Sequence, residues 1–287
     1  MSGGVRPPAV AGQFYAGSGA ELAHQLEQCF LDPRGPGELP ARHRGPTRAL
    51  RAAVVPHAGY PYSGPIAALA YARIAVERAP ESVLILGVDH HGMGRGAALS
   101  DRDWSTPLGP VAVDHDLVRA LDRSPLAVDE AAQAAEHSIE VQLPFLEYVL
   151  PRPRFVALQV RFGSFDYLRE VARTVREAVR DRDVLLLAST DFSHYVPART
   201  AERLDRMAID AILARDPRRL YDVVVGNDIS MCGIAPTTVL LAALEDEPLA
   251  ARLLRWGHSG EAEPMREVVG YASLTLETPT AGPPSVK

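Results

Sequence analysis

Cysteine is scarce in this 287-residue chain, which contains two, Cys29 and Cys232. Two cysteines cannot build the disulfide framework of a small secreted protein. The amino-terminal stretch MSGGVRPPAVAG is too rich in proline and glycine to resemble the apolar part of a secretory leader. We therefore expect a cytoplasmic protein with reduced thiols.

Long hydrophobic runs and an excess of positive charge are missing as well. A membrane-spanning helix needs about 20 consecutive apolar residues, and the longest runs, such as residues 184–188 and 239–244, are far shorter. The 30 basic and 36 acidic residues give a net charge of −6, so no basic surface is expected for nucleic acid or anionic lipid. With 47% hydrophobic and 23% charged residues, the composition predicts a globular fold. We expect this protein to bind neither nucleic acid nor membranes.

Short apolar segments that end at turn residues recur along the chain, at 52–56, 83–87, 155–160 and 184–188. Such segments are typical of strands buried on both faces of a parallel sheet. Helical patterns cover 21–31, 64–77, 136–149, 165–180, 199–214 and 233–244, and residues 268–276 alternate like a terminal strand. The alternation of strands and helices predicts a single α/β domain over residues 1–277, followed by a disordered tail at 278–287.

Histidines follow three of the predicted strands: His57 after AAVV, His90 after VLILG and His194 after VLLLAS. Ligands of open α/β sheets bind where the carboxyl ends of the strands meet. We therefore expect at least two of these histidines to share a site. His91 is expected to face away, because adjacent side chains diverge.

Cys232 directly precedes the apolar helix predicted at 233–244. The positive end of a helix dipole favours a thiolate there, which is the form that acts as a nucleophile or a metal ligand. A free cysteine is nevertheless more often a small buried hydrophobe. Asp191 and His194 are separated by two residues in the loop after a predicted strand, so both can reach one pocket. His194 is a candidate general base, and Asp191 is a candidate orienting carboxylate.

Glu136, His137 and Glu140 open the segment EHSIEVQLPFL. Acidic residues in a first helical turn are ordinary partners of the helix dipole, and we expect that role for both glutamates. A cationic histidine is unfavourable in the same place unless it stays neutral or has a function there, so His137 is a candidate member of the site.

The motif VDHHG also resembles the strand-end Asp-His-His of the DHH phosphoesterases, which bind two divalent ions through several aspartates. Those enzymes need further strand-end aspartates upstream and a glycine-rich element with a histidine late in the chain. Here the first predicted strand ends in Pro56-His57, and no such late element is present. The sequence therefore disfavours that family.

Six motifs in order resemble the Memo family, which includes protein B of the bacterial AmmeMemoRadiSam system. They are RPPAVAGQFY (6–15), VVPHAGYPYSG (54–64), LILGVDHHG (84–92), EHSIEVQLPFL (136–146), STDFSHY (189–195) and MCGIAP (231–236). The resemblance covers nearly the whole chain. It implies a three-layer α/β/α fold related to class III extradiol (LigB-type) dioxygenases, with a mononuclear non-haem metal pocket.

By position, the resemblance implies metal ligands at His57, His90 and Cys232, with Asp191 and His194 beside them. His194 matches the acid/base histidine of the dioxygenases. A thiolate in place of their carboxylate ligand is soft and favours iron, copper(I) or zinc. The residue before the second ligand is Asp89, where the family usually has serine or asparagine, and this added carboxylate bears on the choice of metal.

The resemblance is compatible with a metal-dependent oxidoreductase that uses iron or copper, in which His194, Asp191 and His137 have catalytic roles. A non-catalytic module that holds a peptide, a small molecule or a metal in the same pocket is the alternative, because one fold hosts many functions. A zinc hydrolase is a third possibility, because two histidines, one cysteine and an open position also form a catalytic zinc pattern. A radical SAM protein and an AMMECR-type protein are the partners that the family implies.

Overall fold

The computed structural model describes residues 4–41 and 45–279. The strands are β1 (Leu50–Val55), β2 (Ser82–Val88), β3 (Ala97–Leu99), β4 (Trp104–Thr106), β5 (Gly109–Val113), β6 (Leu126–Val128), β7 (Arg154–Val160), β8 (Val184–Ser189), β9 (Ala250–His258) and β10 (Gly270–Glu277). The helices are α1 (Gly19–Leu31), α2 (Tyr60–Val76), α3 (His115–Leu121), α4 (Glu130–Gln133), α5 (Leu143–Val149), α6 (Phe165–Val179), α7 (Ala198–Leu213), α8 (Pro217–Gly226) and α9 (Ile234–Ala243).

One mixed sheet runs through the protein in the order β4-β5-β7-β2-β8-β1-β10-β9, with β3 paired to β7 and β6 paired to β3. Its central strands β7, β2, β8 and β1 are parallel. The carboxyl ends of these strands therefore meet at one edge, while β10 and β9 extend the sheet as an antiparallel pair.

Hydrophobic cores cover both faces of the sheet. In β1, Ala52 and Val54 belong to one core and Ala53 and Val55 to the other, which explains why the strand is a continuous apolar run. Residues of α1, α2 and α5 fill one core, and residues of α3, α6, α7, α8 and α9 fill the other. The predicted three-layer α/β/α fold is confirmed.

The helix predicted over residues 136–149 is wrong in its first half. Residues 136 and 137 are irregular and 138–139 form a turn, a short 3-10 helix covers Glu140–Gln142, and α5 follows. The Glu136 carboxylate accepts the N–H groups of His137 and Ser138, and the Ser138 hydroxyl accepts the N–H of Val88 at the end of β2. These bonds hold the turn against the sheet instead of in a helix.

Other boundaries differ less. Helix α2 begins at Tyr60, four residues before its predicted start, with a proline in its first turn where the missing N–H is tolerated. Strands β3 to β6 and β9 and helices α3, α4 and α8 were not predicted. The tail predicted at 278–287 lies outside the described residues except for positions 278 and 279, and the Thr278 N–H donates to the carbonyl of Ala49. No helix in the described ranges is long and apolar enough to cross a bilayer.

Candidate metal centre

His57 and Cys232 lie side by side at the carboxyl edge of the sheet. His57 follows β1 and is 2% exposed, and Cys232 precedes Gly233, the N-cap of α9. Nε2 of His57 is 3.2 Å from Sγ of Cys232, although the two residues are 175 positions apart. Gly233 lets the start of α9 pack against the residue that follows β8, because a Cβ there would lie 2.2 Å from Cβ of Thr190.

His90, which follows β2, completes a group of three. One candidate ligand atom from each of His57, His90 and Cys232 lies within 4.8 Å of the others. The rings of His57 and His90 are perpendicular, with centroids 5.2 Å apart. Nδ1 of His90 is 2.9 Å from Oε1 of Glu136, which is how a carboxylate commonly orients a histidine that binds metal through its other nitrogen.

The local environment keeps His57 uncharged. Burial lowers the pKa of His57 well below its usual value, and the neighbouring His137 and His90 act in the same direction. A neutral imidazole is the form that binds a metal. The environment therefore favours the ligand state of this residue.

At Cys232, burial outweighs the effect expected from the start of α9, although the backbone N–H of Gly233 favours the thiolate. Burial raises the pKa of the Cys232 thiol above its usual value, and the nearby Asp191 adds to this effect. A thiolate held next to Asp191 needs a positive charge beside it, which the start of α9 does not supply in full. A bound cation would supply that charge.

Asp191 connects the two ligand-bearing segments. Its Oδ1 accepts the backbone N–H of His57 at 2.8 Å, and its own backbone N–H donates to Sγ of Cys232 at 3.2 Å. Burial raises the pKa of Asp191, against the hydrogen bond from the His57 N–H. The residue thus fixes the position of both ligands from behind.

His194 lies beside this group in the loop after β8. Its backbone N–H donates to Oγ of Ser230, and its Nδ1 is 2.7 Å from the Ser230 carbonyl oxygen. A carbonyl can only accept, so Nδ1 carries the proton and Nε2 of the neutral ring is a free base. Asp205, fully buried in α7, accepts the N–H and hydroxyl of Ser193 and so holds this loop in place.

His137 packs directly on a candidate ligand. Its ring stacks on His90 with centroids 4.6 Å apart, and Phe14 lies 4.6 Å from its ring centroid. Burial lowers the pKa of His137 to about 4, so it is neutral near pH 7; the cause is burial and not a helix dipole. His90, Glu136 and His137 also form a second group that could hold a cation.

The expected role of Glu136 and Glu140 as simple partners of a helix dipole is wrong, because both carboxylates are fully buried with specific partners. Burial alone would raise the pKa of Glu136, but the hydrogen bond and charge of His90, with the N–H of Ser138, lower it well below its usual value. Glu140 forms an ion pair with Arg6, 134 positions away. Local patterns could not reveal these long-range contacts.

Arg6 and Glu140 fasten the amino-terminal segment behind the site. The Arg6 guanidinium lies 3.9 Å above the Trp104 ring and also donates to the backbone carbonyl of Glu136 at 2.7 Å. The Glu140 carboxylate accepts the backbone N–H groups of Ala9 and Val10. The motif RPPAV thereby supports the turn that carries Glu136.

Asp89 has a local structural role. Its carboxylate oxygens accept the N–H groups of Met93 and Gly94 at 3.2 and 3.1 Å, so it caps its own loop. His91 is exposed, and its Nε2 is 3.1 Å from the carbonyl of Ala135. As predicted, His91 lies outside the group that contains His90.

Together, the fold and the site define a three-layer α/β/α protein with a candidate His-His-Cys metal centre. The family model described as Memo-like protein matches residues 6–275. A MEMO1 family protein of Methanopyrus kandleri is 40% identical over 94% of this chain and 98% of its own length. Relatives of the same family from Methanothermobacter thermautotrophicus and Methanococcus maripaludis are 39% and 38% identical over 94% and 95% of this chain and 100% of theirs. This chain belongs to the Memo family.

Proposed function

We propose that this Memo family protein is a metal-dependent oxidoreductase in which His57, His90 and Cys232 hold one iron or copper ion. The observation that supports it is the convergence of these three side chains, with Nε2 of His57 only 3.2 Å from Sγ of Cys232. His194 is the acid/base in this proposal.

The residues fit such an ion in chemistry and spacing. Zinc serves as the reference for bond lengths: it binds His nitrogen and Cys sulfur at about 2.0 to 2.3 Å, so two ligand atoms of one ion lie about 3 to 4 Å apart. The thiol–imidazole pair already has this spacing. Thiolate and imidazole ligands suit iron, copper and zinc, and three protein ligands leave a position open for a reacting molecule.

Iron or copper bound there would supply the redox chemistry. The chain itself supplies the proton transfer: Nε2 of His194 accepts a proton from a bound molecule while the Ser230 carbonyl holds the ring through Nδ1. Asp191 fixes the two ligand segments, and neutral His137 shields one side of His90. These are the catalytic and positioning roles we assign to His194, Asp191 and His137.

The substrate in this proposal is a small molecule or the end of a peptide. This is supported by the exposure of His194, which is partly open to solvent, and of its neighbour Tyr195, which is 73% exposed. A bound molecule can therefore reach the site from this side. The family resemblance alone supports a radical SAM protein and an AMMECR-type protein as partners. Cys29 and Cys232 are both free thiols, which supports a reducing cytoplasm.

Metal analysis of ligand variants tests the centre. Protein purified without air should contain one metal ion per chain, and Cys232→Ala and His90→Ala should lose it without unfolding, because the strands supply the stability. Cys29→Ala and His91→Ala are matched controls, since Cys29 is buried against α2 and His91 faces solvent. Equal metal content in Cys232→Ala and Cys29→Ala would overturn the proposed ligand set.

Oxygen uptake with catechols and thiols then tests catalysis. His194→Ala should retain the metal, while any turnover falls by about 10² to 10⁴-fold, the usual contribution of a general base. Zinc at one ion per chain without redox activity would overturn the oxidoreductase and favour a hydrolase. A His194→Ala variant that equals wild type in every redox assay but loses a ligand would favour the binding module.

A further inference from the structure

Behind His57, three buried polar side chains form a continuous series of hydrogen bonds. Nδ1 of His57 is 3.0 Å from Oγ of Ser189, and Nε2 of Gln142 donates to the same Oγ at 2.8 Å. The Tyr71 hydroxyl donates to Oε1 of Gln142 at 2.8 Å. Ser189, Gln142 and Tyr71 are 0% exposed, so the partners within the protein decide where each proton lies.

Two backbone carbonyls determine the directions of these bonds. Nε2 of Gln142 also donates to the carbonyl of Pro56 at 3.0 Å, which fixes the orientation of the amide. The Ser189 hydroxyl donates its one proton to the carbonyl of Ser138 at 2.6 Å. With that proton committed, Oγ of Ser189 can only accept from His57.

We infer that Ser189, held by Gln142, is a positioning residue that keeps the proton of His57 on Nδ1 and leaves Nε2 unprotonated toward Cys232. This inference rests on the proposed metal site, because an unprotonated Nε2 is what a metal ion requires. The two histidine ligands are then oriented by different chemistry, His90 by the carboxylate of Glu136 and His57 by a neutral hydroxyl.

Removal of the hydroxyl has a specific consequence. In Ser189→Ala, an N–H at Nδ1 would point into a dry space without an acceptor, which is costly for a buried donor. The proton can move to Nε2, where Sγ of Cys232 at 3.2 Å accepts it. The lone pair that would bind the metal is then blocked.

Nuclear magnetic resonance of the metal-free, ¹⁵N-labelled full chain tests this directly, because protonated and unprotonated ring nitrogens have well-separated shifts. The His57 signals are assigned by their loss in His57→Asn. Wild type should show the proton on Nδ1, and Ser189→Ala should move it toward Nε2. Ser82→Ala is the matched control, since Ser82 is a buried strand serine whose hydroxyl has no partner among the described residues.

A proton on Nε2 in wild type, or an unchanged His57 signal in Ser189→Ala, would overturn the inference. The wild-type spectrum is decisive even where the variant fails to fold.

Zinc affinity, measured by competition with a chelator, separates this inference from the proposed function. Loss of a group that orients a ligand lowers metal affinity by about 10 to 100-fold, so Ser189→Ala should bind zinc that much more weakly, and Ser189→Thr, which keeps the hydroxyl, should restore binding. Equal affinity in wild type and Ser189→Ala refutes the positioning role. Absence of zinc, iron and copper binding in wild type with the expected tautomer refutes the proposed function and leaves the hydrogen-bonded series intact.

Discussion

Replacing Glu140 by glutamine should loosen the amino-terminal segment and destabilise the whole protein. Oε2 of Glu140 accepts from Nη1 of Arg6 at 2.7 Å and from the N–H of Ala9 at 2.7 Å. Oε1 accepts from the N–H of Val10 at 2.9 Å and from the Tyr15 hydroxyl at 2.7 Å. A glutamine keeps one oxygen and turns its NH₂ group toward two donors.

The magnitude follows from the burial of this pair. Arg6 is 4% exposed and Glu140 is fully buried, so the variant leaves a buried charge without its counter-ion, which costs about 3 to 5 kcal/mol. At about 2 to 4 °C per kcal/mol for chains of 150 to 250 residues, the melting temperature should fall by about 6 to 20 °C.

Thermal and urea unfolding of Glu140→Gln measure this loss. Asp222→Asn is the control, because it removes the exposed ion pair with Arg218, and exposed pairs contribute about 0 to 1 kcal/mol. A Glu140→Gln variant that is no less stable than Asp222→Asn would refute the reasoning that this carboxylate fastens the segment.

Three further predictions concern other parts of the structure. Burial raises the pKa of Glu147 to about 7, so its contribution to stability is present below about pH 4.5 and is lost as the pH rises through about 7. In urea unfolding between pH 4.5 and 8, Glu147→Gln should flatten this dependence of stability on pH, and an unchanged dependence would contradict the prediction. Gly233→Ala should lower the free energy of unfolding by about 1 to 3 kcal/mol through overpacking and weaken metal binding, because its Cβ would collide with Thr190. Gly226→Ala, where a Cβ has open space, should change neither stability in thermal melting nor metal binding. Asp89→Asn should leave metal content unchanged, since the carboxylate serves its own loop; altered content by elemental analysis would show that its charge reaches the metal.

The central strands could be predicted from the sequence because each is buried on both faces. A short, continuous apolar run such as β8 is typical of a strand that packs between two helical layers. Strand β9 was missed for the opposite reason: it is the half-exposed last strand of the sheet order, and its arginines interrupt the apolar pattern. The segment at 136–149 has helical spacing throughout, but the Glu136 carboxylate and the Ser138 hydroxyl accept N–H groups of the turn and of β2, and these bonds override that local preference.

Part of the site could be predicted by the same physical rule. His57 follows β1 and His90 follows β2, which flank β8 in the parallel part of the sheet, so the strand-end argument alone predicts that they approach each other. Cys232 arrives from the start of a helix instead, and the family motif was needed to place it. The supporting groups Arg6, Gln142 and Ser189 carry no local signal, because their partners are 47 to 134 positions away.

The distances between the three candidate ligands along the chain have a consequence for the lifetime of the protein. Residues 57, 90 and 232 meet only after the parallel strands and α9 have assembled, so an unfolded chain presents no such site. An ion that binds only the folded state adds about 2.7 kcal/mol of stability at a free concentration 100 times its dissociation constant. Since proteolysis in cells acts on the unfolded fraction, metal supply would set how long each copy of this protein survives.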